Sequence, residues 1–391
     1  MVQCHRAVWM LLLAILAAAG GCTYAMPMPR EDLRITPLAG LRSPFLREAG
    51  ALTAPGVALY GETLASSSGR VAVAMVRLSD ACASGAPAPS GPARRAMASW
   101  DLSTGALLGL LEDRSETLDD EWVGLVDLSP DGTRVVIRKR TGAEVRDVRT
   151  GTVLQRLDEA WGRTPWPATF DHTGQRVMVT SHPRHNQLWI DVDTGKDTVV
   201  GPLGWGGPTA QCGELVVDRE AGRHSRPVVL NVGTGELVPL EFRPDCGGVA
   251  HGSVFSDDCR LVAIGYTAVF QWLMYDLTPT HLRIWDTSTG RLVAWFQPDG
   301  GEPSYSRPEI PIAIIGESQL LLVQADTVIR LIDLREGREI GREWFPSRST
   351  LAPAVPVDGG RLLLVPGPEG IRQFRVDVPA ARPGKGVPRG G

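Results

Sequence analysis

Three stretches of the chain carry side chains suited to binding anions, metals or protons: His182, Arg184 and His185, then Arg223, His224 and Arg226, then His281. Histidine titrates near neutrality and ligates metals through a neutral ring nitrogen, whereas arginine grips carboxylates and phosphates through a planar fork. A metal would need three or four ligands within about 2 Å of one point, and no Cys/His spacing of a zinc site occurs. The H-E-x-x-H, G-x-S-x-G, Walker and G-x-G-x-x-G signatures are also absent. These residues fit an anion-attracting rim, or simply solvated loops, better than a metal or cofactor centre. No cofactor is implied.

Cysteine offers a second chemistry. Cys4 and Cys22 lie near the N-terminus, leaving Cys82, Cys212, Cys246 and Cys259 in the remainder. Four thiols in a chain of this length allow one or two disulfides but cannot form the scaffold.

What must position these residues is a repeat. A hexapeptide of the form x-[DN]-x-x-[TE]-G recurs at Trp100–Gly105, Arg146–Gly151, Ile190–Gly195, Leu230–Gly235, Trp285–Gly290 and Ile332–Gly337. Its glycines lie 46, 44, 40, 55 and 47 residues apart, a period characteristic of propeller blades. An Asp or Asn side chain accepts bonds from turn N–H groups and Gly supplies a positive φ, so each copy reads as a tight hairpin. Asp191-Val192-Asp193-Thr194-Gly195 looks like a calcium loop only until it is recognised as the third copy. Upstream stand other turns, such as Leu128-Ser129-Pro130-Asp131-Gly132 and Phe255-Ser256-Asp257-Asp258-Cys259, each followed by an apolar run. Near-continuous apolar runs suit strands covered on both faces.

Each repeat therefore predicts strand a, a turn, strand b, a variable loop, strand c, the D-x-x-T-G turn and strand d. Repeats opening near residues 62, 125, 168, 208, 252, 312 and 353 make an all-β, seven-bladed β-propeller of four-stranded antiparallel blades over residues 57–378. The last repeat has only three strands, so an N-terminal strand must complete it, and Leu33-Arg34-Ile35-Thr36 is the candidate. Residues 379–391, rich in Pro, Gly and Arg, read as a disordered tail. In this topology b–c and d–a loops share one face, which carries the histidines and arginines, with Lys139 and Arg140 at its edge. Trp122, Trp161, Trp166 and Trp205 fall in d–a connections, either as binding surface or as packing between blades. Trp272 lies in an apolar insertion of the fifth blade. Cys212 and Cys259 occupy matching a–b turns of adjacent blades and form the foremost disulfide candidate, with Cys246–Cys259 next.

The N-terminus reads as a targeting segment. An apolar run from Ala7 to Gly21 is too short for the roughly 30 Å hydrocarbon core of a membrane and suits a signal peptide. Its end, Ala19-Gly20-Gly21-Cys22, resembles the lipobox of bacterial lipoproteins. That resemblance implies a lipidated Cys22 as first mature residue and a signal peptide at 1–21, which leaves 22–56 as a flexible leader with the ring-closing strand. Thr23, in place of Asp, favours the outer membrane. A plain secretory signal cleaved after Ala25 is the alternative. Both readings export the protein.

The paired turns resemble WD-repeat and YVTN-type propellers of bacteria over residues 57–378. Only Trp100 and Trp285 occupy the Trp-Asp position, so the buried His/Asp/Trp network of the eukaryotic pattern is not implied. A lesser resemblance is to the outer-membrane assembly lipoprotein with PQQ-type repeats, whose Trp five residues after the turn glycine is met here by Trp295 alone. Lys plus Arg number 40 against 44 Asp plus Glu, a net charge of −4 that does not supply the basic field of a nucleic-acid binder. The sequence thus points to a lipid-anchored envelope propeller that binds an unidentified envelope protein without catalysis. A propeller enzyme with its site on the b–c/d–a face, or an assembly factor, is the alternative.

Overall fold

The computed structural model describes residues 33–38, 45–55, 57–78, 94–115, 121–157, 168–180, 186–202, 210–219, 226–241, 248–268, 281–296, 310–316, 319–325, 327–345, 353–367 and 370–377. Seven four-stranded antiparallel sheets form a ring, as the repeats predict. Blade 1 contains β2 (Val57–Ala65), β3 (Val71–Leu78), β4 (Arg94–Asp101) and β5 (Leu107–Glu112), and blade 2 β6 (Trp122–Leu128), β7 (Arg134–Lys139), β8 (Gly142–Asp147) and β9 (Val153–Leu157). Blade 3 runs through β10 (Ala168–Phe170), β11 (Arg176–Thr180), β12 (Asn186–Asp191) and β13 (Asp197–Pro202), and blade 4 through β14 (Gln211–Cys212), β15 (Leu215–Arg219), β16 (Pro227–Asn231) and β17 (Leu237–Pro239). Blade 5 has β18 (Gly248–Phe255), β19 (Leu261–Ala268), β20 (His281–Asp286) and β21 (Leu292–Phe296). Blade 6 has β22 (Ile310–Ile315), β23 (Leu320–Ala325), β24 (Val328–Asp333) and β25 (Arg338–Trp344).

Blade 7 takes β26 (Val355–Val357), β27 (Leu362–Gly367) and β28 (Gly370–Val376) from the C-terminal end and β1 (Leu46–Leu52) from the other. Register runs from Leu46 opposite Val376 to Leu52 opposite Ile371. The closing strand is therefore this one, not Leu33-Arg34-Ile35-Thr36. Its middle is exposed, and only its flanks enter the core: Phe45 between blades 6 and 7, Leu52 between blades 7 and 1. An Arg-Glu-Ala-Gly-Ala centre carries no strand signature, which is why the more apolar segment upstream drew the assignment.

The upstream segment has another place. Arg34 bridges in parallel to Trp295 and Thr36 to Arg338, with Ile35 N donating to the Trp295 carbonyl at 2.7 Å and Thr36 N to that of Gly337 at 2.7 Å. Ile35 is fully buried among residues of blades 5 and 6. Leu38 N donates to Glu339 Oε2, a buried carboxylate also held by Arg330 and Arg342. This stretch is a strap across the edges of blades 5 and 6.

Apolar side chains fill the gaps between blades, one cluster to each junction. Among the described residues the 3–4 junction has the smallest, Met178, Trp189 and Val216. Trp100 and Trp285 are wedges of one design: each is buried, and its indole N–H donates to a carbonyl just past strand d of the preceding blade, Thr53 or Glu241.

Candidate functional site

The two faces of the ring are built differently. The c–d turns are Asx turns: Asp101 Oδ1 accepts from Ser103 N at 2.8 Å and Thr104 N at 2.9 Å, and Asp147, Asn231, Asp286 and Asp333 repeat the pattern. The Ser103 hydroxyl and the Thr104 N–H hold Asp101 below the ordinary carboxylate range, and the Thr194 hydroxyl and N–H do so for Asp191. On this face the a–b and c–d connections never exceed five residues. The Asp and Asn side chains that open these turns are used within them.

Long connections all emerge on the opposite face. Fifteen residues separate Leu78 from Arg94, twelve separate Ala268 from His281, and thirteen separate Phe296 from Ile310. Arg184, His185, Arg223, His224, Trp272 and Cys22 lie outside the described residues, as do Trp161, Trp166 and Trp205. His281 opens β20 opposite Tyr266. Arg226, just before β16, is half-buried, and its Nε donates to the Leu240 carbonyl at 3.2 Å, so part of its donor set ties the end of strand d to strand c. Lys139 faces Glu144 at 3.9 Å and Arg140 faces Glu121 at 2.9 Å. Trp122 is buried at the 1–2 junction beneath the Arg146 guanidinium, and so is packing rather than binding surface. Among the described residues no three His, Cys, Asp or Glu side chains gather as a metal site.

The described part of this face brings together a cluster the sequence did not single out. Tyr60 on β2 is exposed, with the Arg77 guanidinium 3.8 Å and that of Arg95 5.5 Å from its ring centre. Arg77 is the last residue but one of strand b, Arg95 the second of strand c, and the two are cross-strand partners. Arg95 is committed, its Nη1 lying 2.8 Å from the Trp122 carbonyl and 3.0 Å from Glu121. The available signal was two arginines symmetrically flanking the Ala/Ser/Gly/Pro-rich b–c connection of blade 1.

Two further sites join neighbouring blades. Cys212 and Cys259 form a disulfide between blades 4 and 5, with Cα atoms 5.6 Å apart. Asp127 of β6 accepts from its neighbour Leu128 N and, across the 2–3 junction, from Thr169 Oγ1 at 2.9 Å and Phe170 N at 2.7 Å. Burial pushes its carboxyl up to about 6 against the pull of those bonds.

The chain matches no protein-family model and no curated protein. Among solved structures it is similar to the hydrazine synthase of Kuenenia stuttgartiensis, at 13% identity and a TM-score of 0.56, over 83% of this chain and 97% of that one. At such identity the likeness shows the β-propeller fold and leaves the chemistry to the residues of this chain.

Proposed function

We propose that this protein is a lipid-anchored propeller of the bacterial cell envelope that presents its b–c/d–a face to another envelope protein and performs no catalysis. The observation that carries this reading is the asymmetry of the disc: one face is closed by short, self-satisfied turns, while every long connection opens on the other. Broad, shallow loop surfaces suit protein contact better than a deep pocket. The Cys212–Cys259 bond is consistent with an oxidising compartment. The lipobox-like end at Cys22 supplies the anchor, and an outer-membrane location follows from Thr23.

The test is capture from solubilised envelope followed by mass spectrometry. Alanine at Arg184, His185, Arg223, His224 and His281 should weaken capture and reduce its salt dependence, and Trp272→Ala should weaken it at any salt. Equal losses from changes in the c–d turns would reject the assignment of the face. Cys22→Ser should abolish labelling by a fatty-acid analogue, and unchanged labelling would reject the anchor. The similar hydrazine synthase is an enzyme, which keeps a catalytic reading of the same face as the alternative. Turnover abolished by His185→Ala or His224→Ala in a folded protein would establish it.

A further inference from the structure

Arg77 differs from Arg95, Lys139 and Arg140 on the b–c/d–a face. Arg95 and Arg140 share Glu121, and Lys139 faces Glu144. Arg77 is exposed and, among the described residues, no carboxylate pairs with it. What it has is a ring: at 3.8 Å from the centre of Tyr60, the guanidinium rests in van der Waals contact on the aromatic face. That contact holds the long side chain without using its N–H donors, which lie in the guanidinium plane and, among the described residues, meet no carboxylate. Arg95 approaches the same ring and is itself pinned to the Trp122 carbonyl, which anchors the platform beneath Arg77. An immobilised guanidinium with free in-plane donors loses less side-chain entropy on binding than a solvated one.

We propose that Tyr60, Arg77 and Arg95 form a docking point for a single carboxylate, an Asp or Glu side chain of the partner protein. The proposal rests on the reading of this face as a partner surface and names the chemistry the partner must bring. One planar fork matches one carboxylate through two parallel N–H···O bonds. Glu62 is exposed two residues along β2, its carboxylate beside Gly124 of blade 2, and Glu121 lies against Arg95. Two carboxylates so near disfavour a phosphate dianion or a clustered anionic headgroup, while leaving one monovalent carboxylate opposite Arg77 matched.

Phenylglyoxal modification of arginine, mapped by peptide mass spectrometry on the full chain, tests this without knowing the partner. The probes are a terminally blocked Glu/Gly peptide, the matching Gln/Gly peptide and inorganic phosphate at equal ionic strength. Exposed ion pairs are weak, so the Glu/Gly peptide at about 10 mM should slow modification of Arg77 roughly threefold, with the other two probes near unity. Tyr60→Leu, an exposed position, should remove the protection. Protection by phosphate equal to that by the Glu/Gly peptide, equal protection of exposed Arg149 on the opposite face, or none at Arg77 would overturn the proposal. Selective protection of Arg77 in a protein whose partner capture depends on the c–d face would uphold the carboxylate site and reject the partner reading.

Discussion

Cys259 sits in the left-handed region, at φ +59°, and its sulfur is bonded to Cys212 of the preceding blade. Its N–H donates to the Ser256 carbonyl, the bond that Gly69, Gly132 and Gly174 make in the a–b turns of blades 1 to 3. A Cβ placed on Gly174 would stand 3.1 Å from the Ser129 Cβ, and one on Gly132 3.3 Å from the Ser66 Cβ, each on the turn of the preceding blade. The position thus points at the neighbouring turn all around this part of the ring. In blade 4 that turn has two residues between strands in place of five, which leaves room for the sulfur that Cys259 sends along the same direction.

Removing either cysteine should therefore have unequal effects. A disulfide closing a span of 47 residues stabilises by up to about 4 kcal/mol in the chain-entropy account. Cys212→Ser should lower the free energy of unfolding by about 2–4 kcal/mol. Cys259→Gly should lower it by about 1 kcal/mol less, because glycine relieves the left-handed residue. Urea unfolding of both variants checks the order, and a reversed order would refute the account of the turn.

Turn glycines should also divide by what surrounds them. A Cβ on Gly290, at φ +68°, would collide with the Pro239 carbonyl oxygen, whereas one on Gly235, at φ +75°, meets nothing within 4 Å. Gly235→Ala should cost about 1–2 kcal/mol from the backbone alone. Gly290→Ala should cost more, since the blade 4–5 contact must also shift, and thermal melts of the pair give the difference.

Stability should peak in mildly acidic solution. The Asp127 carboxyl, raised to about 6 chiefly by burial, contributes most when protonated, and that contribution is lost as pH rises through 6. Asp101 and Asp191 are held low by turn hydroxyls and N–H groups, and their contribution is lost as pH falls below the ordinary aspartate range near 4. Melting temperature should rise between pH 7.5 and about 5 and then fall. Asp127→Asn should flatten the upper limb and leave the lower one.

The strap and the closing strand should be separable. Ile35→Ala should cost about 2–4 kcal/mol by leaving a cavity between blades 5 and 6 in a ring that still closes. Deletion through residue 52 removes β1 and bares the edge of β28, and should yield aggregating protein. Light scattering and circular dichroism distinguish the outcomes.

The ring was legible because its signals are local. Asp286 and Gly290 lie within one hexapeptide, and the bonds Asp286 makes to Ser288 and Thr289 explain why those residue types recur. The cysteine pair was legible once the blades had been counted, since both members sit at matching turns. Strand β1 was not, because its partner lies more than three hundred residues away and its own centre faces solvent. Tyr60 and Arg77 were missed for the same reason: a cation stacked on a ring is a matter of register between strands. Arg226, a candidate for the rim or for a solvated loop, has its Nε bonded to the Leu240 carbonyl, a contact that likewise depends on how two strands lie together.

The pairing of Leu46 with Val376 also orders events in time. Strand β1 and the strap at Ile35 emerge first during synthesis or export, yet their partners in blades 5 to 7 emerge last. Ile35 and Phe45 find their core partners only in blades 5 to 7, and Leu52, though it also packs on blade 1, lacks its blade 7 partners until then, so closure is a contact of very high sequence separation. A chain that stops short of β28 has no edge on which to seat β1. Synthesis of β28 is thereby a condition of ring closure, so products truncated before it are left open and exposed to proteases.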